Sequence, residues 1–112
     1  MPVKLQQDTE ILKAGSRPEE VLFLLKGQVM NVTSSRILPP GSIFGELDII
    51  FKRERVDSYL ASTDVYLLKY DIDVFQLIME EFADMKDEVT LVATEREKMR
   101  LMYMRSKSTH KH

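Results

Sequence analysis

Up to Tyr70 the apolar residues come in short runs broken by turn formers. Gly15-Ser16-Arg17-Pro18, Lys26-Gly27, Ser34-Ser35 and Pro39-Pro40-Gly41 recur about every ten residues. Runs rich in β-branched, large aliphatic and aromatic residues lie between them: Thr9 to Leu12, Val21 to Leu25, Gln28 to Thr33, Arg36 to Leu38 and Val65 to Tyr70. This spacing predicts a small β-barrel or sandwich. Val21-Leu22-Phe23-Leu24-Leu25 is continuously apolar, which predicts a strand buried on both faces.

Beyond Tyr70 the period changes. Asp71 or Asp73 can cap a helix in which Val74, Phe75, Leu77, Ile78 and Phe82 repeat at helical spacing. Gly and Pro then disappear. Met85, Val89, Val92, Met99 and Tyr103 recur at helix-compatible spacings, predicting an amphipathic helix to about Arg105 with Arg96 in the middle of its stripe. Met85 and Val89 are expected to pack. Ser106 to His112 show no apolar period and are expected to be a disordered tail, so the domain is expected to span 1–105. The layout, β-sequence at once and a long helix last, is that expected of a fragment of a larger protein.

At 112 residues, 44% hydrophobic and 30% charged, the chain has the size and balance of one folded domain. A net charge of −2 provides no field for nucleic acid or anionic membrane, and no apolar run approaches the roughly 20 residues of a membrane span. Absence of cysteine removes thiolate catalysis and disulfides and suits a cytoplasmic setting. No nucleophile stands with a plausible base. The histidines lie in the tail, away from any carboxylate cluster, and the paired carboxylates Glu80-Glu81 and Asp87-Glu88 read as solvated helix faces. A binding module is expected, not an enzyme, with no metal and no cofactor.

The segment with most chemistry is Pro40-Gly41-Ser42-Ile43-Phe44-Gly45-Glu46-Leu47, followed by Arg55 and Ser58. A Gly-bearing turn into a short helix points backbone N–H groups outward, and an arginine can complete such a site by pairing with phosphate. A Gly-Glu pair near an Arg is common, so this pattern by itself is weakly specific. Together with Ala14-Gly15 and Leu22-Phe23-Leu24-Leu25-Lys26-Gly27-Gln28-Val29, however, it resembles the cyclic-nucleotide-binding domain family from about Leu12 to Arg96.

The resemblance implies an α+β, mainly β fold: an antiparallel β-roll or jelly roll with a short phosphate-turn helix and two C-terminal helices, the last a lid. It implies cAMP or cGMP as ligand, with Phe44, Gly45, Glu46, Leu47, Arg55, Val56, Asp57, Ser58 and Arg96 around it. Glu46 would accept from the ribose 2′-hydroxyl and Arg55 would pair with the cyclic phosphate. Gly45 and Leu47 would line the turn, and Ser58 would offer a hydroxyl to phosphate or purine. Ala93-Thr94-Glu95-Arg96 is similar to the lid helix of hyperpolarisation-activated cyclic-nucleotide-gated channels, where the arginine caps the purine. One position departs from the family. Asp57 stands where a small residue is usual, and its carboxylate would oppose a bound phosphodiester unless Arg55 or Arg53 neutralises it.

The resulting expectation is a regulatory module whose last helix moves, cut from an ion channel, with a kinase regulatory domain as alternative. Its partners would be the nucleotide and the other subunits or effector domain of the parent. The competing reading is a nucleotide-free interaction platform contacting another subunit through Met99, Met102, Tyr103 and Met104. On the sequence alone, Glu46 with Arg55 reads equally well as a surface ion pair, and Arg96 as a side chain reaching to water.

Overall fold

The computed structural model describes residues 1–109, with side chains for all of these but 83, 85 and 106–109. The packing expected of Met85 lies outside that set. Two compact units are present, Met1–Leu77 and Ile78–His112.

The first unit holds eight strands and a short helix: β1 (Pro2–Leu5), β2 (Glu10–Leu12), β3 (Glu20–Lys26), β4 (Val29–Asn31), β5 (Arg36–Leu38), β6 (Ile43–Phe44), α1 (Glu46–Ile50), β7 (Tyr59–Ala61) and β8 (Val65–Asp71). They form two four-stranded sheets, β1-β8-β3-β6 and β2-β7-β4-β5, antiparallel throughout. The longest ladder is β3 on β8, from Glu20 opposite Asp71 to Lys26 opposite Tyr66, with an irregularity between Leu24 and Lys26. Alternation along the strands sends Leu22, Leu24, Phe44, Val65 and Leu67 from one sheet into a single core with Leu12, Val29, Leu38 and Ala61 from the other.

Burial of β3 on both faces, expected along the whole run, holds only at its start. Val21, Leu22 and Leu24 are buried, Phe23 is half-buried, and Leu25 is 44% exposed. Leu25 sits at the irregularity and points away from the core, so its apolar character is not a sign of burial there. The turn after it is fixed by Gly27, at φ +93°, where an added Cβ would stand 2.3 Å from the Asp64 carbonyl oxygen. Thr63 Oγ1 accepts from the Gln28 amide at 3.0 Å and completes that corner.

α2 (Ile72–Glu81) begins in the first unit, where the Ile72 amide donates to the Glu19 carbonyl at 2.9 Å. α3 (Ala83–Thr109) follows after one residue, and the Phe82-to-Ile78 and Lys86-to-Phe82 bonds carry helical hydrogen bonding across the break. The helix thus continues past the end expected at Arg105, since neither Gly nor Pro interrupts Arg105 to Thr109. The single stripe expected on α3 is also corrected. Val92 and Met99, on the stripe, are more than half exposed, and so are Leu91, Leu101 and Met102 off it. Apolar residues are spread around this helix, because those intervening positions break the period.

Candidate functional site

The sequence around Gly45 folds as a hinge between a buried strand and a one-turn helix. β6 is only two residues long, but it pairs Phe44 with Leu22 and Ile43 with Phe23, which fixes where the next residue emerges. Phe44 is fully buried, its ring centroid 5.1 Å from that of Tyr59. Upstream, the Gly41 amide donates to the Leu24 carbonyl at 2.7 Å, and Ser42 Oγ donates to the Pro39 carbonyl at 2.6 Å. Gly45 then takes φ +87° and caps α1 with no side-chain hydrogen bond. An added Cβ at Gly45 would lie 3.1 Å from Arg55 Nη1 and 3.2 Å from Leu12 Cδ1. Glycine is needed both for the left-handed backbone and for the close approach of Arg55.

Ten residues on, Arg55 is held from both sides. Its amide donates to the Ser16 carbonyl at 2.9 Å, and its own carbonyl accepts from the Gly15 amide at 2.7 Å, which stitches the loop before β3 to this position. The side chain is 1% exposed. Nη1 donates to the Gly45 carbonyl and lies 3.4 Å from Asp48 Oδ2, while Nη2 donates to the Glu20 carbonyl at 2.6 Å. Arg55 is also one of the residues that line a cleft of about 360 Å³ between β2 and the start of β3, together with Leu12, Ser16 and Glu20.

The surface ion pair between Glu46 and Arg55 does not form. Both residues are buried, and the carboxylate beside Arg55 belongs to Asp48, on the turn of α1 after Glu46. Asp48 Oδ1 also accepts from Arg53 Nε at 2.9 Å, and the Arg53 amide donates to the Asp48 carbonyl at 2.9 Å. One buried aspartate thus gathers two arginines. The Arg53 guanidinium additionally lies 5.2 Å from the Phe51 ring centroid.

Asp57 is buried at 6% exposure, and its Oδ2 accepts from Asn31 Nδ2 at 3.1 Å. Asn31 Oδ1 accepts from the Thr33 and Ser34 amides at 3.0 and 3.2 Å, so one asparagine ties the β4–β5 turn to Asp57. Ser58 Oγ accepts from the Ala14 amide at 2.9 Å. Leu47 and Val56 are half-buried. The candidate residues from Phe44 to Ser58 are therefore gathered in the first unit by β6, α1 and the approach to β7, whereas Arg96 is carried on α3 in the second.

Asp48, Asn31 and the Glu20 carbonyl are members of this cluster that sequence reasoning missed. A carboxylate two residues after Glu46 with arginines five and seven residues further on was the available signal. It was illegible because the irregular stretch between α1 and β7 has no period from which to read a contact. Among the described residues no group of three or more acidic or histidine side chains is arranged to hold a metal ion.

Comparison with known proteins identifies the family. The family model described as the cyclic nucleotide-binding domain matches residues 2–82. Human cGMP-dependent protein kinase 2 is 33% identical over 86 residues, covering 74% of this chain and 11% of the kinase, so the chain spans a small part of that relative's length. Among solved structures, cAMP-bound PfPKA-R superposes with a TM-score of 0.71 at 15% identity, covering 85% of this chain and 35% of the other. The regulatory subunit of a cAMP-independent protein kinase A from Trypanosoma brucei gives a TM-score of 0.69 at 17% identity, covering 90% and 40%. These structural likenesses, at 15% and 17% identity, are likenesses of fold. The chain belongs to the cyclic nucleotide-binding domain family.

Proposed function

We propose that the chain binds cAMP or cGMP at the turn from Phe44 to Ser58 and passes that event on through its C-terminal helix. The observation that carries this reading is the fixed apposition of Gly45 and Arg55, ten residues apart, at the mouth of α1. The closeness of the guanidinium to the start of α1 supports a phosphate held between Arg55 and the backbone of that turn. Arg55 pairs with the phosphate, Gly45 and Leu47 offer backbone amides, and the buried Glu46 accepts from the ribose 2′-hydroxyl. Val56, Asp57 and Ser58 line the same turn. Arg96 on α3 caps the purine, and the ordering of α3 over the base is the output, a population shift driven by the ligand's preference for one helix position.

The likeness to cGMP-dependent protein kinase 2 supports a kinase as the parent protein. The Ala93-Thr94-Glu95-Arg96 pattern supports a cyclic-nucleotide-regulated ion channel. A cytoplasmic setting agrees with both. No helix among the described residues is long and apolar enough to cross a membrane.

Calorimetric titration with cAMP and cGMP tests the reading. The expected result is saturable binding that Glu46→Gln weakens about tenfold or more, since a hydrogen bond to a charged acceptor is worth roughly 1.5–3 kcal/mol. A folded chain that binds neither nucleotide at millimolar concentration would favour the interaction platform instead. Asp48 and Asp57, buried in the turn in addition to Glu46, support that second reading. So does the existence of this fold in a regulatory subunit described as cAMP-independent.

A further inference from the structure

Arg55 is the group on which an anionic ligand depends, and in this structure it already has an anion. Nη1 is shared between the Gly45 carbonyl and Asp48 Oδ2, and Nη2 is committed to the Glu20 carbonyl. The Arg55 side chain is 1% exposed. Asp48 is 8% exposed in its side chain and is held from the other side by Arg53 Nε at 2.9 Å, so it is a fixed member of the turn, not a passing contact.

We infer that Asp48 is an internal competitor for Arg55, a carboxylate built into the phosphate turn that sets how weakly the site takes an anionic nucleotide. The inference rests on the cyclic-nucleotide reading above. The two Nη1 hydrogens go to the Gly45 carbonyl and to Asp48, and one Nη2 hydrogen goes to the Glu20 carbonyl, so a phosphodiester oxygen that asks for Nη1 competes directly with the carboxylate. A nucleotide phosphate must therefore displace Asp48 or bind beside it against like charge. Asp48 acts through Arg55 and is an affinity-setting residue, not a ligand contact. Arg53 is placed to keep Asp48 charged-paired in either state, which lowers the cost of letting Arg55 go.

The test is titration of the wild type, Asp48→Asn and Asp48→Ala with cAMP and with cGMP, each variant first shown by circular dichroism to be folded. Asp48→Asn keeps the shape and an acceptor oxygen while removing the charge, so it remains informative where Asp48→Ala fails to fold. Affinity is expected to rise about tenfold to hundredfold in Asp48→Asn, the range for giving back one charge-assisted hydrogen bond. Binding that emerges only in the variants would support the inference most directly. A wild type that binds while Asp48→Asn binds equally or more weakly would show Asp48 to be a strut of the turn, overturning the inference and leaving the nucleotide reading intact. Folded variants and wild type that all fail to bind at millimolar nucleotide would overturn both.

Discussion

Positive φ at Gly27 and Gly45 answers two different needs. At Gly27 the constraint is steric and belongs to the fold, because a Cβ would meet the Asp64 carbonyl oxygen at 2.3 Å and Thr63 Oγ1 at 2.8 Å. Gly27→Ala is expected to cost about 1–3 kcal/mol, combining left-handed strain with displacement of backbone, read as a lowered midpoint in urea denaturation. At Gly45 the neighbour is the Arg55 guanidinium, so the constraint belongs to the site. Arg55 itself serves both. Arg55→Lys offers one ammonium to acceptors that lie in three directions, two carbonyls and a carboxylate. It is expected to destabilise the nucleotide-free protein by about 3 kcal/mol, the lower end for breaking a buried pair. An unchanged denaturation midpoint would mean that Arg55 serves only a ligand.

Among the elements, β6 shows how much can hang on two residues. Phe44 contributes a fully buried ring from it, and the same pairing sets the emergence of Gly45 and α1. Phe44→Ala is expected to cost about 3–5 kcal/mol and to lower the thermal midpoint by about 12 °C or more for a domain of this size. β6 was hidden in the sequence because two residues carry no period, and β1 and β7 lie outside the turn-bounded runs from which the equally short β2, β4 and β5 were read. The longer strands β3 and β8 and both C-terminal helices were legible from runs and helical spacing, with ends displaced by a few residues. Within the site, the Phe44-Gly45-Glu46 motif and Arg55 were legible as a pattern. The partner of Arg55 was not. A buried ion pair across an irregular segment is a property of the folded path, and Asp48 on a one-turn helix reads in sequence as an ordinary solvated residue. Asp57 was legible as a departure, but its bond to Asn31 of β4 joins positions 26 residues apart that only sheet pairing brings together.

At the scale of the molecule, every residue of the hydrophobic core cluster lies between Leu12 and Leu67, inside the first unit. A chain ended after Phe82 is therefore expected to keep a cooperative thermal transition and the near-ultraviolet dichroism of Tyr59, which packs on the core. Loss of cooperativity in that fragment would show that α3 is required for the double sheet to fold. The family match stops at residue 82 as well, so the part that holds the site and the part proposed to report on it can be separated experimentally, with binding and helix response measured on different chains.

Asn31 carries a consequence for how the protein is made. Asn31-Val32-Thr33 spells an acceptor for N-linked glycosylation, and the nitrogen that would receive the sugar is the one that donates to Asp57. In a chain routed through a secretory host, a glycosylating enzyme that acts before β4 pairs with β7 would find this acceptor open. A glycan added then would occupy that nitrogen, crowd the half-buried β4–β5 turn, and yield material that differs from a cytosolic preparation at the residue next to Ser58.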